Sequence, residues 1–201
     1  MSAPLDKGQP GRLLIDDFLP RYDLTQVQHV LVAASPTTTY QVLRRVDVMQ
    51  SRLARALVWS QAVPEQLMRR ARGLPTRVVA PAHAGFDDML ATKAWTLLAE
   101  EPGQELVLGL LWPFGQAVPQ IPEVDPAGWA AFADPGFAKV AWSMSVRPFG
   151  AGRTLVVSEA RTACTDAATA RRFRLIWRGL GPFAALLKGR LLHLVVAGAA
   201  R

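Results

Sequence analysis

The sequence predicts an α+β domain in which an antiparallel sheet is covered on one face by a long C-terminal helix. Three features point there. A β-branched run near the N-terminus leads straight into a helical region; two later pairs of apolar runs are each joined by a Gly-containing turn; and the chain closes on a long amphipathic stretch. With 201 residues, half of them apolar and 19% charged, the chain is long enough for one well-filled core and short for two. One domain over residues 23–201 is expected, behind an N-terminal tail and lead-in at 1–22.

The first strand is read over 24–34, where Val27, His29 and Leu31 share one face and Gln28, Val30 and Val32 the other. Ser35 followed by Pro36 supplies a cap and a first-turn proline, and Tyr40, Leu43 and Val46 follow at helical spacing. A second helical stretch is expected from about Ser51 to Arg72, broken or restarted at Pro64, with 81–85 as loop. The runs Lys93 to Ala99 and Glu105 to Trp112 flank Glu100-Glu101-Pro102-Gly103 and form a hairpin, with Trp95 and Leu97 on one face. Residues 113–126 are a proline-interrupted connection, and 128–132 hold a short helical turn. A second hairpin pairs Phe137 to Val146 with Thr154 to Thr165 across Gly150-Ala151-Gly152. Thr165 and Asp166 then cap the last helix, whose stripe is Phe173, Ile176, Trp177, Leu180, Ala184, Leu187, Leu191 and Val195, with a kink expected at Gly181-Pro182.

Composition narrows the classes of function. Six tryptophans and equal Gly and Pro contents of 15 each exclude collagen-like, coiled-coil and disordered chains. The lone Cys164 cannot form an internal disulfide, which fits a reducing cytoplasm, and the first dozen residues read as a frayed tail rather than a signal peptide. His29, His83 and His193 have no metal-ligand spacing, so neither a metal site nor a cofactor is expected. The window from Leu180 to Ala200 is the most hydrophobic, but Lys188, Arg190 and His193 interrupt it, so it reads as a buried or surface-seeking helix rather than a transmembrane segment.

The net charge of +7 comes mostly from arginines in two helical stretches, 44–77 and 171–190. Such runs are usually solvated faces, and the chain has no helix-turn-helix, RNP or zinc-knuckle signature, so nucleic acid is not an expected partner. Peripheral contact with an acidic membrane surface is a use the same arginines leave open.

Four segments resemble the START-like superfamily, also called SRPBCC, of polyketide cyclase/dehydrase and lipid-transport proteins. They are HVLVAASPTTTYQVLRRVDV, WTLLAEEPGQELVLGLLW, FADPGFAKVAWSMSVRPFGAGRTLVVSEARTACTD and ARRFRLIWRGLGPFAALLKGRLL, together spanning about Asp23 to Arg190. The resemblance implies a helix-grip fold, in which a curved antiparallel sheet wraps around the C-terminal helix and leaves a cavity between them. It supplies no catalytic motif, so the candidates come from strand alternation and helical spacing.

Glu159 and Arg161 stand two apart on one strand and share a face with Leu155 and Val157. They either orient a polar ligand inside the cavity or form an ion pair on the outer face of the sheet. His29 is a cavity hydrogen-bonding group or a structural strand histidine. Trp95, Trp142, Met144, Phe173 and Trp177 are candidates for an aromatic lining, and equally for plain core. Cys164 lacks an activating histidine and reads as a small buried or edge residue. Three functions follow: binding of a hydrophobic or amphipathic, lipid- or polyketide-like small molecule; a cyclase or dehydratase using an inward acid or base in the same cavity; and a non-enzymatic interaction module. The first is preferred, because the sequence offers no strong nucleophile, metal set or phosphate-cradling loop.

Overall fold

The computed structural model describes residues 12–47, 49, 51–52, 85–114 and 120–199. Five strands form one sheet: β1 (Leu24–Val32), β2 (Trp95–Glu101), β3 (Glu105–Pro113), β4 (Phe137–Pro148) and β5 (Thr154–Cys164). Their order is β1-β5-β4-β3-β2, with every neighbouring pair antiparallel. The helices are α1 (Ile15–Phe18), α2 (Pro36–Arg45), α3 (Phe86–Ala91), α4 (Pro126–Ala131) and α5 (Ala167–Ala199). This is the α+β arrangement the sequence predicts and the helix-grip layout the resemblance implies, with the C-terminal helix lying across the sheet. The expected helical stretch lies, beyond Arg52, outside the described residues, as does His83.

Local chemistry explains the boundaries. Ser35 caps α2 by accepting from the Thr38 amide at 3.2 Å, and Asp125 caps α4 by accepting from the Gly128 amide at 2.7 Å; each helix has proline in its first turn, where a missing N–H costs nothing. At the head of α5, the Asp166 carboxylate accepts from the Thr169 amide at 2.8 Å and from the Gly136 amide at 2.7 Å. With the Thr169 hydroxyl, which donates at 2.7 Å and contributes most, these amides hold Asp166 down at about 2, and the Gly136 bond ties the helix start to the beginning of β4. In the β2–β3 turn Gly103 adopts φ 84°, a conformation that favours glycine.

Strand alternation divides the apolar residues between two cores. On the inner face, Leu106, Leu108, Met144, Val146 and Val156 pack against Tyr40 and Leu43 of α2 and against Leu191, Leu192 and Val195 of α5. On the outer face, Val107, Leu111, Phe137 and Ala141 pack beneath Ile15 and Leu19, at α1, and Trp129 of α4. A β-bulge in β2 between Leu97 and Ala99 connects the two arrangements. It inserts Leu98 toward the outer core and shifts the parity, so that Trp95, Leu97 and then Glu100 all serve the inner face.

Helix α5 passes through Pro182 without a break. It is long and apolar enough to cross a membrane, yet here it packs on β1, β4, β5 and α2. Its outer side carries no acidic residue; Arg171, Arg172, Arg174, Arg178 and Arg190 are exposed there beside Leu175 and Leu186. Ile176, expected on the inward stripe, is 44% exposed, because the side of α5 that meets the sheet is centred on Phe173, Trp177, Ala184, Leu187 and Leu191.

On the outer face Gly109 lies directly under α4: a Cβ there would stand 2.8 Å from Trp129 Nε1 and 2.9 Å from the Leu98 methyls. Gly109→Ala is therefore expected to destabilise the fold by about 1–3 kcal/mol in urea denaturation, as overpacking does. An unchanged midpoint would mean that Trp129 is not seated on β3.

Candidate functional site

Two stretches of α5 meet the sheet differently. Its last turns are packed into the inner core through Leu191, Leu192 and Val195, whereas its middle, from Trp177 to Lys188, leaves a half-open cavity of about 260 Å3 above the sheet. From the sheet the walls are Leu24, Val140, Ala160, Thr162, Leu110 and the rings of Trp95, Trp112 and Trp142; from the helix they are Trp177, Ala184, Leu187 and Lys188. Four of the six tryptophans in the chain thus face one space.

Their positions are set by packing and by one hydrogen bond. Trp142 donates its indole N–H to Ser158 Oγ at 2.9 Å and lies edge-on to Trp95 at 6.0 Å between centroids. Phe86 of α3 backs the same ring at 5.5 Å. At the other end Trp177 stacks on Phe173 at 5.3 Å, and Phe173 meets Trp112 at 6.3 Å and Phe114 at 5.6 Å. Offset and edge-to-face pairs of this kind fix ring orientation better than aliphatic contacts do.

Among the described residues Lys188 is the single titratable one that lines the cavity. Its ammonium donates to Gln26 Oε1 at 2.9 Å, and Gln26 in turn donates from Nε2 to the backbone carbonyl of Gly181 at 3.2 Å. Gln28, two residues along β1 on the same face, donates to the carbonyl of Ala185 at 2.9 Å. Burial alone pulls Lys188 down from its ordinary 10.5 to about 8, since the apolar walls disfavour the charged form. Among the described residues no carboxylate lies within ion-pair distance of it.

The residues singled out from sequence divide accordingly. Trp95, Trp142 and Trp177 line the cavity. Met144 and Phe173 are fully buried packing residues, one in the inner core and the other behind Trp177. Of the two readings left open for each of Glu159, Arg161 and His29, the register corrects the ligand-binding one: all three lie on the outer face of the sheet. Arg161 is 7% exposed there, donating to Glu159 at 2.7 Å, to Asp16 at 2.7 Å and to the Leu19 carbonyl at 3.2 Å. Together with Glu105, which accepts from the Leu14 amide at 2.9 Å, it fastens α1 to the sheet. His29 is exposed on edge strand β1, between Val27 and Leu31, which are exposed as well. Cys164 is pushed up to about 11 by burial and by nearby Asp23, the opposite of an activated thiol.

Lys188, Gln26 and Trp112 were not among the candidates named from sequence. A signal for Lys188 was present: it falls four residues after Ala184 and three before Leu191, on the apolar stripe itself. Gln26 and Gln28 likewise alternate with Leu24, Val30 and Val32, as polar residues on the apolar face of β1.

No protein-family profile matches this chain, and no curated protein matches it. Solved structures similar to it include the Mll3558 protein from Rhizobium loti, at 12% identity and TM-score 0.36, covering 87% of this chain and 96% of that one. Two others are TTHA0849 from Thermus thermophilus, at 13% identity and TM-score 0.35 (88% and 99% covered), and the Zhui aromatase/cyclase from a Streptomyces species, at 14% and 0.35 (89% and 94%). Likeness at this level carries no residue's role across.

The Lys188 environment sets a pH dependence of stability. The folded state holds this proton less tightly than the unfolded chain, so the unfolded chain binds more protons between about 8 and 10.5, and its burial penalty fades as pH rises through that window. Denaturation midpoints are expected to climb more steeply over this range in the wild type than in Lys188→Met, in which this contribution is gone. Parallel curves would place the ammonium in water.

Proposed function

We propose that the protein binds an apolar or amphipathic small molecule in the cavity between the sheet and α5. The observation that supports this most is the lining: four indole rings and aliphatic side chains around one half-buried lysine, the mostly apolar wall with few polar points typical of small-molecule sites. Size narrows the ligand. An apolar cavity of about 150 Å3 admits benzene, so about 260 Å3 suits a body of roughly two fused rings or a short acyl chain, with any longer part extending through the open side.

One feature favours a second reading, catalysis of the cyclase or dehydratase type. A lysine with its pKa near 8 exchanges a proton close to neutral pH, as a general acid or base must, and the walls around it are mostly apolar. Among the described residues no second acid or base lines the cavity, and such chemistry would run through Lys188 and the substrate's own groups.

Native mass spectrometry of the protein purified from its source cells distinguishes these readings. Binding predicts a non-covalent excess of a few hundred daltons that disappears on denaturation. The released compound, returned to the protein, is then recovered unchanged if the protein only binds, whereas a time-dependent change of its mass that is lost in Lys188→Met would establish catalysis. A clean apo mass, together with no binding of naphthalene-sized probes by calorimetry, would overturn the cavity reading.

A further inference from the structure

We infer that the ligand of this cavity carries a carboxylate and that the Lys188 ammonium is the group that receives it. The inference rests on the cavity being a binding site, and it goes beyond that reading by assigning the polar end of the ligand. It begins from an imbalance. Lys188 has three N–H donors and uses one, on Gln26, and among the described residues no carboxylate pairs with it. A charge held among apolar walls without a counterion is costly, and charge-assisted hydrogen bonds from an anion are the strongest means of offsetting that cost.

The ammonium is also held in place. Gln26 cannot turn away from it without giving up its own bond to the Gly181 carbonyl, so the side-chain oxygen is fixed toward Nζ and the remaining donors are left for a ligand. The nearby polar groups add no second cation: Thr162 is the other aliphatic polar residue of the lining, Gln28 is occupied with Ala185, and Arg190 is turned to Ser51. A single positive charge matches a singly charged carboxylate better than a phosphate, which brings more charge and more acceptor oxygens than one lysine can serve. The indole-lined remainder of the cavity then takes the apolar body.

The test is calorimetric titration with 2-naphthoate and its neutral isostere 2-naphthamide at pH 6.5 and 9.5. At pH 6.5 the acid is expected to bind about tenfold tighter than the amide or better. At pH 9.5 that preference should largely vanish: Lys188 has then lost its proton, the acid stays ionised, and no other titratable residue among those described lines the cavity. Lys188→Met should abolish the preference at pH 6.5 while still binding the amide, and the wild-type pH comparison stands independently of that variant. Equal affinity of acid and amide for the wild type at pH 6.5 would overturn the inference and leave the cavity reading intact. Failure of both probes to bind would remove the cavity reading, and this assignment with it.

Discussion

Two glutamine side chains set the separation between α5 and the sheet, and the cavity follows from that separation. Gln26 and Gln28 project from the inner face of β1 and bond to the helix carbonyls of Gly181 and Ala185. An aliphatic side chain at either place would have nothing to offer those carbonyls, and the helix would be free to roll or settle. With amides there, the distance from strand to helix is the length of a glutamine. Further along, Leu191, Leu192 and Val195 pull the same helix fully into the core, and at its head Asp166 binds the start of β4. The helix is thus fixed at both ends and spaced in between, which is how it can bridge a space without filling it.

The outer face has a different task. Its arginine and carboxylates, Arg161 with Glu159 and Asp16, are engaged in fastening α1, and Trp129 of α4 covers β3. Glu105 belongs to the same construction; burial raises its pKa while bonds from Ser143 and from the Leu14 and Ile15 amides oppose that shift. A third polar cluster, at the edge of the inner core, joins Tyr40 and Arg44 of α2 to Glu100 beyond the bulge, and Arg44 reaches on to Asp87 of α3. These networks pair acids with bases and donors with acceptors. Lys139 and Lys188 both bond to neutral partners only and are both lowered by burial, but Lys139 is spent on the carbonyls of Ala130 and Phe132 at the end of α4, whereas Lys188 lines the cavity.

Much of the fold was legible because its signals are local. Turn glycines, caps at Ser35 and Asp166 and strand alternation can each be read within a few residues, and they placed the strands and the last helix. The site was legible only in part. Alternation tells that Glu159, Arg161, Leu155 and Val157 share a face, but not which face is inward. The apolar start of that run suggested the cavity, whereas this sheet is apolar on both sides, with a second core under α1 and α4. For Trp95, Trp142 and Trp177 the sequence left lining and plain core both open, since alternation and helical spacing give the face of an aromatic ring but not whether the space beside it is filled. Lys188 was passed over because a lysine in an apolar helix reads as an interruption, and its meaning depends on Gln26, 162 residues away in the chain.

The bulge at Leu98 makes the β2 segment sensitive to chain length in a way that composition does not show. Trp95 must face the cavity while Glu100, five residues on, must face Tyr40 on the same side of the sheet, and an odd spacing permits this only because one residue is out of register. Drift in side-chain identity along β2 can be absorbed by repacking. Loss or gain of a single codon between 95 and 100 would instead carry an indole from the cavity to the opposite side, so across descendants of this chain that interval should keep its length even where its letters change.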